Sequence, residues 1–122
     1  MKITLVSPQT PAQWQKYFDL RYQVLRAPWG QPLGSERDQM EDQAFHLMFE
    51  AEDGSVCAVG RCQLNDAKRA QVRYMAVAPA AQGLGLGQQL LSGLELWAQQ
   101  QGAQQLQLNA RETAIGFYRK QG

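Results

Sequence analysis

The sequence predicts an α/β fold built on one mixed sheet, in which strands one to four run antiparallel and a fifth pairs parallel. Three observations carry that reading. Segments that alternate between apolar and polar residues, joined by short polar turns, fill positions 46–77, as an antiparallel meander does. Leu90, Leu91, Leu94, Trp97 and Ala98 then fall on one face of a helix. Alternation returns at Leu106 and Leu108, and strand, helix and strand in that order imply a right-handed crossover with parallel pairing.

The elements follow in order. Residues 2–7 read as a short first strand. Thr10 is placed to cap a helix, Pro11 suits its first position, and Gln13 sits where a capping box requires it. Trp14, Phe18, Tyr22 and Leu25 follow at helical spacing and are expected in the core. From Ala27 to Asp42 the pattern dissolves, because Pro28, Gly30, Pro32 and Gly34 punctuate it. Ser35 is expected to cap a short helix over Ser35–Asp38 there, and the long irregular segment reads as a functional loop. His46 to Ala51 and Val56 to Leu64 form a hairpin about Glu52-Asp53-Gly54-Ser55, with Gly60 marking a bulge or a close approach. Asn65–Lys68 turns the chain into a third meander strand, Ala70 to Val77. Gly102 stops the helix that follows, and a last short helix is expected from about Thr113 to Lys120.

Composition narrows the function. A chain of 122 residues suits one domain, and a net charge of +1 supplies no field for nucleic acid or a membrane surface. Arg69 and Arg73 are too sparse for a nucleic-acid stripe, no signal peptide is legible, and no apolar run approaches the ~18 residues of a membrane span. No metal is expected. Cys57 and Cys62 lie five apart on one strand, so strict alternation sends them to opposite faces as unpaired core thiols, which fits a reducing cytoplasm.

The chemistry concentrates between Met75 and Gln88. A strand ends at Met75-Ala76-Val77, Ala78-Pro79-Ala80-Ala81 follows, then the turn Gln82-Gly83-Leu84-Gly85-Leu86-Gly87, and an amphipathic helix begins. Glycines let backbone approach a ligand, and the free amides and dipole of a helix start favour an anion such as phosphate. Gln88 and Gln89 stand where a nucleoside-triphosphate loop needs Lys and Ser or Thr. The dinucleotide pattern of three glycines fails as well, since its last position would be Gln88 or Leu90.

The spacing Gln82-x-x-Gly85-x-Gly87 resembles the coenzyme A signature of the GNAT superfamily, Q/R-x-x-G-x-G/A. The Val-Ala-Pro strand end, the Leu-Leu helix, Gly60-Arg61 on the hairpin and Phe117-Tyr118-Arg119-Lys120-Gln121-Gly122 match in order, so the resemblance spans nearly the whole chain. The stretch from Leu25 to Asp38 is similar to a bacterial GNAT subgroup, some of whose members carry a following hot-dog thioesterase-like domain and are linked to fatty-acid synthesis.

The resemblance implies an acyltransferase that passes an acetyl or other short acyl group from acyl-CoA directly to an amine, on a small molecule or a protein, in a ternary complex. It implies cofactor contacts at Met75, Ala76, Val77, Gln82 through Gln88 (Gly83, Leu84, Gly85, Leu86 and Gly87 between them), Ala114, Phe117 and Tyr118. The Val77 amide would steady the oxyanion, because alternation falters at Met75-Ala76-Val77, and Tyr118 would protonate the leaving thiolate. The family often has Asn three residues before Ala114. Arg111 stands there, with Asn109 two residues earlier, and both are carried as contacts. The irregular segment admits the acceptor in this fold, which offers Trp29, Glu36 and Asp38 as acceptor-binding candidates. A base for the ammonium is open among His46, Glu36, Asp38, Glu41 and a bound water. The bland readings are a structural histidine and a solvated helix face for the carboxylates.

Two further expectations concern partners. A CoA-binding module without catalysis, or a domain served by an acyl carrier protein, shares the same phosphate turn. GNAT domains continue with two more strands after the last helix, whereas this sequence ends at Gly122, so a truncated domain is expected. Its fifth strand would then expose an edge that a homodimer or a separate segment covers.

Overall fold

The computed structural model describes residues 2–108. Its elements are β1 (Ile3–Val6), α1 (Pro11–Leu25), β2 (Phe45–Ala51), β3 (Val56–Leu64), β4 (Arg69–Val77), α2 (Leu86–Gln100) and β5 (Gln105–Leu108). The strands lie side by side in chain order, antiparallel from β1 to β4 and parallel from β4 to β5. This is the predicted mixed sheet. The helix expected at 113–120 falls outside the described residues, among which β5 is an edge strand of the sheet.

The two helices cover opposite faces, because alternation along the strands sends neighbouring side chains to opposite sides. Leu47, Phe49, Ala58, Cys62, Ala70 and Val72 form one core with Leu90, Leu91 and Leu94 of α2. Met48, Val59 and Ala76 form the other with Tyr17 and Phe18 of α1. Burying each large apolar side chain of α2 stabilises the fold by roughly 1.5–3 kcal/mol.

The helix ends follow their local chemistry. Thr10 caps α1, with Gln13 completing the capping box. Gly102 takes φ 90°, and the Ala103 amide reaches back to the Ala98 carbonyl at 3.0 Å. That is the left-handed exit expected there.

Four local expectations are corrected. Residues 35–38 are turn and irregular backbone, and the 3₁₀ turns of this segment lie at Ala27–Trp29 and Glu41–Gln43. Ser35 caps nothing; its hydroxyl accepts from Arg26 Nε at 3.2 Å. Tyr22 pins the loop instead of entering the core, its hydroxyl donating to the Gln31 carbonyl at 2.9 Å. The buried positions of α1 are Tyr17, Phe18 and Arg21. Cys57 and Cys62 pack on the same core. Phe49 faces Ala58 while Glu50 faces Val56, so Cys57 is an extra residue that resets the alternation. Both thiols are unpaired, and burial raises both pKa values, that of Cys62 to about 12.

Gly60 meets both of its expectations. Across from it β4 carries one extra residue, since Val59 faces Ala76 and Arg61 faces Arg73. A β-carbon on Gly60 would stand 3.0 Å from Leu94 Cδ1 and 3.2 Å from Met75 Cγ, so α2 and β4 both close over bare backbone. The bulge therefore centres on Tyr74 and Met75, earlier than the Met75–Val77 span the sequence indicates. Tyr74 takes φ 57°, a left-handed conformation costly for an aromatic residue.

Candidate active site

The glycine turn between β4 and α2 has the left-handed backbone its sequence suggests. Pro79–Ala81 forms a 3₁₀ turn, and Gly83 and Gly85 take φ 86° and 77°. A β-carbon on either glycine would meet no other atom within 4 Å, so open space adjoins this backbone. Gly85 is the N-cap of α2; no side chain caps this helix start, and its first turn holds no acidic residue. The Gln89 amide already bonds the Gly85 carbonyl at 3.2 Å, and the amides of Leu86, Gly87 and Gln88 precede it. Set against the fully capped α1, this start keeps its donors and about half a positive charge for an anionic partner. Gln82, Leu84 and Gln88 are exposed, and Leu86 is buried.

β4 meets this turn edge-on. A β-carbon on Gly87 would lie 3.7 Å from Val77 Cγ2 and 3.9 Å from Met75 Cε, so the first turn of α2 rests on the end of β4. The Ala78 amide donates to the Cys57 carbonyl at 2.8 Å, which makes those two residues a hydrogen-bonded pair. Val77 opposite Ala58 is then a non-bonded pair. Its N–H points away from β3, toward the side on which β5 lies.

The face of the sheet under α1 holds an ionic cluster. Arg61 of β3, fully buried, donates to Asp38 Oδ1 at 2.8 Å and Oδ2 at 3.1 Å, to Gln63, and lies 3.0 Å from Glu41. Arg21 of α1, also fully buried, donates to Glu41 Oε2 at 2.8 Å, to the Glu36 carbonyl at 2.9 Å and to the Tyr17 hydroxyl at 3.1 Å. Asp38 also accepts from Arg73 at 3.3 Å and the Tyr74 hydroxyl at 3.4 Å. Burial raises the Asp38 pKa, but the bonds and charges of Arg61 and Arg73 and the Met40 amide outweigh it and hold the carboxyl below its ordinary range. Glu36 is buried, accepting from the Gly34 amide at 2.8 Å and from Arg37 Nε at 3.2 Å. The solvated helix face expected for these carboxylates is therefore replaced by hydrogen-bonded ion pairs, with Glu36 buried and Asp38 and Glu41 partly so. Trp29 is 61% exposed at the end of a 3₁₀ turn.

His46 is structural in its contacts. Its Nε2 lies 2.8 Å from the Glu41 carbonyl, which can only accept, so Nε2 carries the proton; in the neutral ring Nδ1 then accepts from the Tyr17 hydroxyl at 2.7 Å, a proton for which the Gly60 carbonyl at 3.0 Å competes. Burial lowers its pKa from 6.5, and the charges of Arg21 and Arg61 add to that against the pull of Glu41. The unfolded chain then takes up a proton near pH 6.5 that the folded chain refuses, so stability falls as pH drops below that value. We expect the thermal midpoint to fall between pH 7.5 and 5.5, with a shallower fall in His46→Gln. Equal slopes in the two proteins would show that His46 is not held neutral.

The structure brings the glycine turn against the strand end, both of which the sequence singles out, while Tyr17, Arg21, Arg73 and Tyr74 of the ionic cluster were not singled out. The one available signal was the spacing of Tyr17 and Arg21, four apart on the buried face of α1. Asn109, Arg111, Ala114, Phe117 and Tyr118 lie outside the described residues.

The model of the Acetyltransferase (GNAT) family matches residues 12–122. The chain belongs to this family. Three solved structures are similar to this GNAT chain across almost all of its length. An inferred N-acetyltransferase from Lactobacillus plantarum shares 23% identity with a TM-score of 0.81, covering 100% of this chain and 84% of its own. An acetyltransferase from Trypanosoma brucei shares 20% at 0.77, covering 99% and 92%. A GNAT acetyltransferase from Elizabethkingia anophelis, solved with acetyl-CoA bound, shares 18% at 0.67, covering 98% and 74%. At these identities the likeness establishes the GNAT fold. Among the described residues no three His, Cys, Asp or Glu side chains gather as metal ligands, and no helix is long and apolar enough to cross a membrane.

Proposed function

We propose that this GNAT domain transfers an acetyl or other short acyl group from acyl-CoA to an amine by direct attack in a ternary complex. The observation that carries this is the uncapped start of α2 beside two left-handed glycines, set against a β4 N–H turned from its neighbour. Coenzyme A would bring the acyl group as a thioester, the electrophile of the reaction. The backbone from Gln82 to Gln88 would hold its diphosphate, as free helix-start amides do. Met75, Ala76 and Val77 offer backbone to its pantetheine arm, and the Val77 N–H is the donor we assign to the developing oxyanion. Asn109, Arg111, Ala114 and Phe117 are proposed contacts from their motif positions, and Tyr118 is the proposed proton donor to the leaving thiolate.

The acceptor is an amine on a small molecule or a protein, entering on the α1 side past Trp29 and the Asp38 cluster. Asp38 is saturated with donors, Glu36 is committed inside its loop, and His46 is locked between Tyr17 and Glu41. That leaves a bound water and Glu41, whose Oε2 is held by Arg21 and Arg61 and whose Oε1 has no hydrogen-bond partner among the described residues, as the bases this arrangement allows. We place the protein in the cytoplasm, a reading supported by the unpaired Cys57 and Cys62.

Calorimetry with acetyl-CoA tests the phosphate turn. Asn tolerates the left-handed backbone at Gly85, so Gly85→Asn keeps the turn while filling its open side. Gly87→Val crowds the first helical turn, whereas Gly87→Ala makes only ordinary contacts with Val77 and Met75. We expect affinity to drop about tenfold or more in the first two, by loss of charge-assisted hydrogen bonds worth about 1.5–3 kcal/mol, and little change in Gly87→Ala. Unchanged affinity in Gly85→Asn and Gly87→Val sinks the assignment. A panel of amines and carrier-protein acceptors, followed by free-thiol release, separates a transferase from a module that only binds.

A further inference from the structure

Arg73 stands at a defined place beside the site. The described rungs between β4 and β5 run from Arg69 opposite Gln105 to Val72 opposite Leu108, and Arg73 is the next position on β4. Val72 is buried in the core under α2, so Arg73 turns to the α1 side, where it meets Asp38. Tyr74 and Met75 form the bulge after it, and Val77 ends the strand four positions on.

The charges of the cluster do not cancel. Arg21, Arg61 and Arg73 surround one ring, with guanidinium carbons 4.5, 4.9 and 4.8 Å from the centroid of Tyr74. Two carboxylates, Asp38 and Glu41, answer these three cations. Glu36 is matched by its own partner, Arg37, and His46 is held neutral by burial. Every donor directed at Asp38 is already in place: Arg61 and the Met40 amide on Oδ1, and Arg61, Arg73 and the Tyr74 hydroxyl on Oδ2. Arg21 and Arg61 are sealed from solvent, and the Nε of each has no acceptor among the described residues. Arg73 differs. Its side chain is 31% exposed, and its one acceptor among the described residues is Asp38 at 3.3 Å. The surplus positive charge of the cluster thus reaches the surface at a guanidinium with most of its donors uncommitted among the described residues, and guanidinium geometry matches carboxylate and phosphate oxygens.

We propose that Arg73 is a specificity-determining residue that receives an anionic oxygen group, carboxylate or phosphate, carried by the amine acceptor. The proposal rests on the acyl-transfer reading above, because it takes the α1 side of β4 as the acceptor's side. Arg61 and Arg21 act through Tyr74 and Asp38 to hold Arg73 in place and to keep the local field positive. An acceptor bearing such a group gains charge-assisted bonds there, and a purely cationic polyamine is repelled.

The test uses protein saturated with acetyl-CoA, so that the phosphate turn is filled. Sodium phosphate and sodium acetate are titrated against sodium chloride at fixed ionic strength, and thermal unfolding is followed in wild type, Arg73→Lys and Arg73→Gln. We expect phosphate, acetate or both to raise the wild-type midpoint above the chloride control. A response to phosphate alone identifies the group as phosphate, and a response to acetate alone as carboxylate. Arg73→Lys should retain a weaker response, and Arg73→Gln should weaken apparent anion affinity about tenfold or more. No rise in wild type, or the same rise in Arg73→Gln, overturns the proposal. Calorimetry with acetyl-CoA on the same samples keeps the two readings apart. Wild type that does not bind acetyl-CoA defeats the acyl-transfer reading itself, whereas normal binding with an anion response indifferent to Arg73 defeats only this one. If Arg73→Gln does not fold, Arg73→Lys decides: an undiminished anion response there counts against the guanidinium.

Discussion

Arg61→Ala is expected to lower the unfolding free energy by about 3–5 kcal/mol, the usual cost of breaking a buried ion pair from one side. Arg61 has no solvent exposure, and its guanidinium reaches Asp38, Glu41 and Gln63 together. Alanine would leave two carboxylates in a poorly hydrated place with fewer donors. Glu41 would keep Arg21 at 2.8 Å, and Asp38 would keep Arg73 at 3.3 Å, so the loss is expected near the lower end of that range. The Tyr74 ring would lose one of its three cationic neighbours, and the bulge it anchors would loosen. Urea denaturation measures the change. Gln63→Ala, which removes a neutral partner, should cost far less. A loss of under about 1 kcal/mol in Arg61→Ala would mean that water reaches the cluster and that the pairs behave as surface salt bridges.

The parts of this fold that were legible in the sequence are those fixed by nearest neighbours. Thr10-Pro11 with Gln13 states a helix start in four residues, and the structure has that capping box. The stripe from Leu90 to Ala98 has one period and one buried face, and Gly102 closes it. The turn from Gln82 to Gly87 was legible because glycine is the residue that takes a left-handed backbone without strain. The ionic cluster was not legible, since its members come from α1, the loop at 36–41, β3 and β4, and no period links them. Carboxylates at 36, 38 and 41 look like a solvated face until Arg21 and Arg61 are known to lie beneath them. The bulge was misplaced for a related reason. Alternation in β4 falters visibly only at Met75–Val77, whereas Gly60 on the neighbouring strand faces Tyr74 and Met75, and Tyr74 carries the strain that no pattern marks. A similar extra residue at Cys57 reversed the expected facing of a cysteine. Pairing between strands, unlike propensity along one, decides such positions.

The second large effect concerns turnover. Tyr118→Phe is expected to cut the rate of thiol release in the presence of an amine acceptor by about a hundredfold or more, the range for loss of a general acid. Tyr118 occupies the position next to Phe117 at which the family resemblance puts the proton donor. With reference pKa values of ~10 for a phenol and ~8.5 for a thiol, full transfer from Tyr to thiolate is uphill by roughly 2 kcal/mol. The step is therefore workable only if the site lowers the phenol pKa, or if the proton moves as the carbon–sulfur bond lengthens and negative charge gathers on sulfur. A weak acid that must stay protonated gives a rate that declines at high pH, and phenylalanine should remove that decline along with most of the rate. Acetyl-CoA affinity should change little, because phenylalanine keeps the aromatic ring and removes only the hydroxyl. Wild-type turnover in Tyr118→Phe would reduce this residue to a packing partner of Phe117. Retained acetyl-CoA binding, with no thiol release from either protein against any amine or carrier-protein acceptor, would favour a GNAT module that binds acyl-CoA without transferring the acyl group.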